Sequence, residues 1–277
     1  MKTTFLFLIL STSLGVVTLG CGDKSPKSPD KPPAREVARG EESKNPLLAP
    51  WKGPHGGVPP FGKVELAHFE PALNKAMERA LVELDRIGAQ EEDATFQNTI
   101  VAMEKARLPL HRVRAVYGVW KGAKQTPGFQ KLQRKMAPKL AAFSDKITQN
   151  TALFKRIQKI YEGRETAGLS AEQKRLVEEL YRHFVRSGAK LEAESKKELS
   201  RINQELAKLY TRFAQNVLAD ENKKYLVLEG ENDLAGIPPS LRQAAKAKAK
   251  SMKMPDKWII SNTRSSVDPF LTYSERR

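Results

Sequence analysis

Four histidines (His55, His68, His111 and His183) and one cysteine, Cys21, are the side chains of this 277-residue chain best suited to hold a metal. No two of the histidines stand four residues apart. The H-E-x-x-H arrangement, which sets two imidazoles on one helical face, is therefore absent. A single cysteine excludes an internal disulfide framework and a multi-cysteine zinc site. His68-Phe69-Glu70 places a histidine and a carboxylate two apart at a helix start, the wrong spacing for a helical zinc pair. Ser265-Ser266 lacks the glycine frame of a nucleophile elbow, and Gly56-Gly57 sits among prolines without the spacing of a phosphate loop. Glu178-Glu179 lies on a charged helical face and needs no catalytic role. Lys246, Lys248, Lys250 and Lys253 spread over a wide helical arc, which describes a solvated face better than an anion site. The expectation is no catalytic residue and no metal ligand in this chain, with any substrate-binding residues unassigned.

Cys21 offers a different chemistry. Residues 1–20 carry one lysine ahead of an apolar run from Phe5 to Leu19, too short for a stop-transfer helix and ending in small residues. Thr18-Leu19-Gly20-Cys21 resembles a bacterial lipobox, in which the cysteine is acylated and becomes the new N-terminus. It departs from the usual pattern in carrying Thr18 where leucine is preferred. Several acyl chains would anchor the chain stably where one would not. The expected location is the bacterial cell envelope, lipid-anchored through Cys21 in the outer membrane and facing the periplasm. Residues 21–44 are rich in Pro, Lys, Asp, Glu and Ser and cannot bury enough apolar surface to offset chain entropy, so they read as a disordered tether.

The net charge is +16, with 40% apolar and 29% charged residues, which suits a soluble globular body with a real core. No zinc finger, helix-turn-helix or aromatic-plus-basic strand accompanies that charge, so nucleic acid is not expected as a partner. Attraction to anionic headgroups and plain solubility are better uses of it.

Residues 45–277 read as mainly α. Ala72, Leu73, Ala76, Met77, Ala80, Leu81 and Leu84 recur at helical steps between His68 and Ile87, with Gly88 as a stop. Phe96 to Trp120 is helical in pattern, but Pro109 should kink or divide it. Phe129 to Ile147 is interrupted by Pro138, and Ala152 to Tyr161 forms another helix. Ser170 and Gln173 make a capping box. After Gly188 a long helix carries Leu199, Ile202, Leu206, Leu209 and Phe213, a heptad seam. The seam predicts an antiparallel hairpin of 170–187 against 190–219, with a dimeric coiled coil as the sharper alternative. Beyond Asn222, Tyr225–Leu228 and Trp258–Ile260 are short strand candidates, and Pro239 opens a helix between them.

Several strings go further than periodicity. Asn45-Pro-Leu-Leu-Ala-Pro-Trp51, Gly56-Gly-Val-Pro-Pro-Phe61, His68-Phe-Glu-Pro-Ala-Leu73 and Phe96-Gln-Asn-Thr-Ile-Val-Ala-Met-Glu104 come first. Met136-Ala-Pro-Lys-Leu140, Leu153-Phe-Lys-Arg-Ile157, Phe213-Ala-Gln-Asn-Val-Leu-Ala-Asp-Glu-Asn222, Asp233-Leu-Ala-Gly-Ile-Pro238 and Pro269-Phe-Leu-Thr-Tyr-Ser-Glu-Arg-Arg277 follow. In order and spacing these resemble the N-terminal part of the thimet-oligopeptidase-like zinc metallopeptidases, the family of peptidyl-dipeptidase and oligopeptidase A. The resemblance covers residues 45–277. It implies a clam-like helical enzyme whose N-terminal helices wall a deep channel for short peptides. Its zinc, general base and oxyanion donors would sit on later helices, so zinc belongs to the full-length family and no cofactor is expected in this chain.

The resemblance thus implies a metallopeptidase, while the residues present predict no activity for this chain alone. A frameshift, an early stop or an incomplete gene model would produce such a sequence. Short peptides become partners if a catalytic half complements it. The alternative is a stand-alone, lipid-anchored helical module that binds peptides or a partner protein without catalysis. A third and weaker reading is attraction of anionic polymers or lipids to the basic surface.

Overall fold

The computed structural model describes residues 45–54 and 57–276. Cys21, the signal-like segment, the tether, His55 and Gly56 lie outside them. Helix α1 spans Leu66–Gly88, α2 Ala102–Ala123, α3 Pro127–Thr148, α4 Thr151–Gly163, α5 Ala171–Arg186, α6 Ala193–Lys223, α7 Pro239–Ser251 and α8 Arg264–Tyr273. Strands β1, Tyr225–Leu228, and β2, Trp258–Ser261, pair antiparallel with Leu228 opposite Trp258. The chain is mainly α, with its strands after residue 222, as its patterning implied. Among the described residues, no helix is long and apolar enough to cross a membrane.

Helix α1 is the central element because its apolar stripe is wide. Phe69, Leu73, Ala76, Ala80 and Leu84 are all buried, and α2, α3 and α4 pack around them. Phe69 meets Trp120 of α2 edge-on at 4.9 Å and Phe129 of α3 at 5.7 Å. Such tilted contacts set the positive ring edge against the negative face. Helix α5 packs on α4, where Tyr161 and Tyr181 stack at 4.1 Å and Phe154 lies beside Phe184. A second, smaller core of Leu228, Leu234, Ile237, Ala245 and Ile260 joins the two-stranded sheet to α7, which lies between its strands in sequence.

Helix ends follow local chemistry. The Ser170 N–H donates to Gln173 Oε1 and the Gln173 N–H to Ser170 Oγ, completing the expected capping box. Thr126 Oγ1 and Asn150 Oδ1 accept from the Phe129 and Leu153 N–H groups and cap α3 and α4.

Neither Pro109 nor Pro138 divides its helix. Helix α2 runs through Pro109 undivided, and the irregularity falls earlier, in a π-helical turn over Phe96–Val101. Helix α3 likewise runs through Pro138. An interior proline costs about 3 kcal/mol. Buried side chains on both sides of Pro138, Leu132 and Met136 before it and Phe143 and Ile147 after it, hold the helix together against that cost.

The expected hairpin of 170–187 against 190–219 is also overturned. Helix α5 docks on α4, whereas α6 docks on α3. Gly188 adopts φ +92° between them and sends the chain off in a new direction.

Candidate peptide-binding cleft

Helix α6 packs on α3 through the face opposite its heptad seam. Ser200, Asn203, Ala207, Thr211, Ala214 and Leu218 recur at steps of three and four and are mostly small. Small side chains let the two backbones approach closely. Polar contacts then fix the register. Ser200 Oγ and Asn203 Nδ2 both donate to the buried Asp145 carboxylate at 2.7 Å. Gln215 Nε2 donates to Gln130 O at 3.1 Å and to Gln133 Oε1 at 3.2 Å, and Gln215 Oε1 accepts from Arg134. Lys196 Nζ donates to Gln149 O and Thr151 Oγ1 near the other end.

This packing leaves a cleft of about 200 Å³ where α2, α3 and α6 meet. Tyr117 and Lys121 come from successive turns of α2, Gln133 from α3, and Tyr210 and Gln215 from α6. Burial pushes the Tyr117 phenol up to about 12, opposed only by nearby Arg114, so it is a protonated donor at neutral pH. Gln125 closes one end. Its Nε2 donates to Lys121 O at 2.7 Å, while its Oε1 is buried without a donor among the described residues. Phenol, amide and ammonium donors beside an amide acceptor match the alternating C=O and N–H groups of a peptide backbone.

The residues singled out from sequence are not brought together. His68 Nδ1 accepts from the Glu65 N–H at 3.0 Å and so caps α1. Glu70 faces Lys135 at 2.6 Å and Lys139 at 3.4 Å, and these contacts hold its carboxyl below the usual range. His111 is half-buried on α2, and desolvation with Arg107 nearby lowers its pKa. His183 is exposed on α5 beside Phe184. Glu178 and Glu179 are paired with Arg175 and Arg182. Ser266 Oγ accepts from the Ser261 N–H, and Ser265 lies against Thr263. Lys246 Nζ lies over the Trp258 ring, 3.8 Å from its centroid. Among the described residues no three His, Cys, Asp or Glu side chains converge, so this donor set does not fit zinc.

The sequence reading missed Tyr117, Gln133, Tyr210 and Gln215. The available signal was the second, small-residue seam of α6, which shares the period of the apolar one.

Residues 71–196 match the neurolysin and thimet oligopeptidase N-terminal domain. The chain is 31% identical over 229 residues to dipeptidyl carboxypeptidase of Salmonella typhimurium, an alignment covering 83% of this chain and 34% of the relative. It is 30% identical over 231 residues to the Escherichia coli dipeptidyl carboxypeptidase, covering 82% and 33%. It is 27% identical over 233 residues to Escherichia coli oligopeptidase A, covering 84% and 33%. The chain thus spans about a third of the length of the curated relatives it matches.

Proposed function

We propose, for a chain that carries the neurolysin and thimet oligopeptidase N-terminal domain, that it forms one wall of a peptide channel in a metallopeptidase acting on short peptides. The observation that carries this reading is the cleft between α2, α3 and α6, lined by Tyr117, Gln133 and Gln215. The Tyr117 hydroxyl and Gln133 Nε2 donate to peptide carbonyl oxygens, and Lys121 supplies a cation at the rim. These groups bind and orient an extended backbone. Bond cleavage belongs to a catalytic portion of the family kind, and without it this chain holds peptide and does not cleave it.

A nuclear magnetic resonance titration of the full chain with short peptides tests the wall. Shifts should cluster at Tyr117, Gln133 and Tyr210. Tyr117→Phe should weaken binding roughly fivefold, the worth of about one hydrogen bond. Shifts elsewhere that leave these residues untouched would sink the reading.

The second reading is a stand-alone helical module that binds peptides or a partner without catalysis. The apolar face that α6 turns to solvent favours it. Turnover of peptides after addition of a family catalytic portion separates the two. We also propose that Cys21 is acylated and holds the chain in the bacterial envelope on the periplasmic side of the outer membrane. Metabolic labelling with a fatty acid that is retained in Cys21→Ser would remove that proposal.

A further inference from the structure

Helix α6 is an edge helix among the described residues, covered by α3 on one side only. Its other side carries Ile202, Leu206, Leu209, Phe213 and Val217, and none of the helix's residues is buried. Leu209 is 52% and Phe213 68% exposed. Together these side chains form a continuous exposed apolar stripe, the kind of patch that marks an interaction site. The steps 202, 206, 209 and 213 are those of a seam that receives the knobs of a second helix.

The flanks narrow the choice of occupant. Glu198 pairs with Arg201 and Glu205 with Lys208, each within α6. Arg212, on the same flank, has no ion-pair partner among the described residues. A helix lying on the seam would therefore set a carboxylate opposite Arg212. The relatives supply a source for such a helix, because about two thirds of their length lies outside what this chain matches.

We propose that the Ile202–Leu206–Leu209–Phe213 seam of α6 docks an apolar helix from the catalytic portion of a metallopeptidase of this family. The inference rests on the channel-wall reading and names the surface by which the wall joins its catalytic partner. Side chains that fail to pack within this chain become the core of the joint fold. The Asp145 network behind α6 holds the seam facing outward.

The test co-expresses the tagged full chain with the unmatched two thirds of the Salmonella typhimurium dipeptidyl carboxypeptidase. Wild type should recover that polypeptide in equal amount. Leu209→Ser with Phe213→Ser should recover at least tenfold less, and Arg212→Glu severalfold less. Val82→Ser, an exposed apolar change on α1, should recover as wild type. Circular dichroism should show the seam variant folded, since its side chains are already exposed. No recovery by wild type, or equal recovery by the seam variant, overturns the proposal. So does a dimer of the full chain in light scattering that Leu209→Ser abolishes, because a second copy is then the occupant. Recovery without peptide cleavage keeps the docking surface and instead counts against the channel-wall reading.

Discussion

Asn203 Nδ2 on α6 donates to Asp145 Oδ1 on α3 at 2.7 Å, and this bond decides which face of α6 looks outward. Ser200 Oγ adds a second donor to the same carboxylate, also at 2.7 Å. Each bond to a carboxylate is worth about 1.5–3 kcal/mol. Turning the helix to bury its apolar stripe would strand Asp145 without donors. A double-mutant cycle with Asp145→Ala and Asn203→Ala should give a coupling of about 1 kcal/mol or more in urea unfolding. Additivity within about 0.3 kcal/mol would mean that the pair does not set the register.

The helix map was legible because α1, α4 and α5 carry apolar faces of one period and explicit caps. Leu73 and Leu84, and the Ser170–Gln173 box, show both signals. The docking of α6 was not legible. Its sequence offers two seams of the same period, Leu199–Phe213 and Ser200–Leu218, and hydrophobicity points to the wrong one for this chain. Which seam is used depends on Asp145, more than fifty residues away, a long-range term that periodicity does not contain. For a related reason Pro138 does not interrupt its helix, since tertiary burial outweighs a local penalty. The cleft was invisible because Tyr117, Gln133 and Gln215 belong to no motif. Only helix packing brings them together.

Arg156 is buried, and among the described residues no carboxylate forms an ion pair with it. It donates instead to Thr99 Oγ1, Gln90 O and Oε1, Glu92 O and Asn98 Oδ1, at 2.8–3.2 Å. These bonds tie the loop before α2 to α4 and hold the π-helical turn in place. Arg156→Met should cost roughly 3 kcal/mol, because it strands buried carbonyls. Calorimetry should find Tm lowered by about 6–12 °C. Arg156→Lys should recover only part of this, since an ammonium cannot span the fork. A fall in Tm of less than about 2 °C for Arg156→Met would show that water replaces the guanidinium without loss.

Gly236 adopts φ +78°, and a Cβ there would strike the Tyr273 carbonyl oxygen at the end of α8. The Glu275 N–H donates to Ala235 O at 3.1 Å across the same contact. Gly236→Ala should therefore release the segment after α8, beyond the ordinary cost of a left-handed alanine. Amide hydrogen exchange should accelerate at Glu275 while α1 and α3 stay protected. Unchanged protection at Glu275 would count against this close approach.

Tyr117 joins the aromatic cluster of Phe69 and Phe129 to the cleft, and burial carries its pKa from 10 to about 12. The neutral phenol is the form the folded chain prefers, while the unfolded chain ionises near the ordinary value. Below pH 10 both states are protonated and this group adds no pH dependence. Between pH 10 and about 12 the unfolded state loses its proton first, so stability falls as pH rises. Above that window the folded phenol also ionises and the difference levels off. Tyr117→Phe removes the group, so wild type should lose stability relative to the variant across that window, with no pH-dependent difference between them from neutrality to pH 10. Urea unfolding at stepped pH measures this, and an ultraviolet titration should show one late-ionising phenol missing from Tyr117→Phe. Parallel stability curves for wild type and variant up to pH 12 would place the Tyr117 hydroxyl in water. Bound peptide that accepts from the phenol would hold its proton more tightly still, so saturating peptide should move the late titration further up. A titration unmoved by peptide would separate Tyr117 from the binding wall while leaving its burial intact.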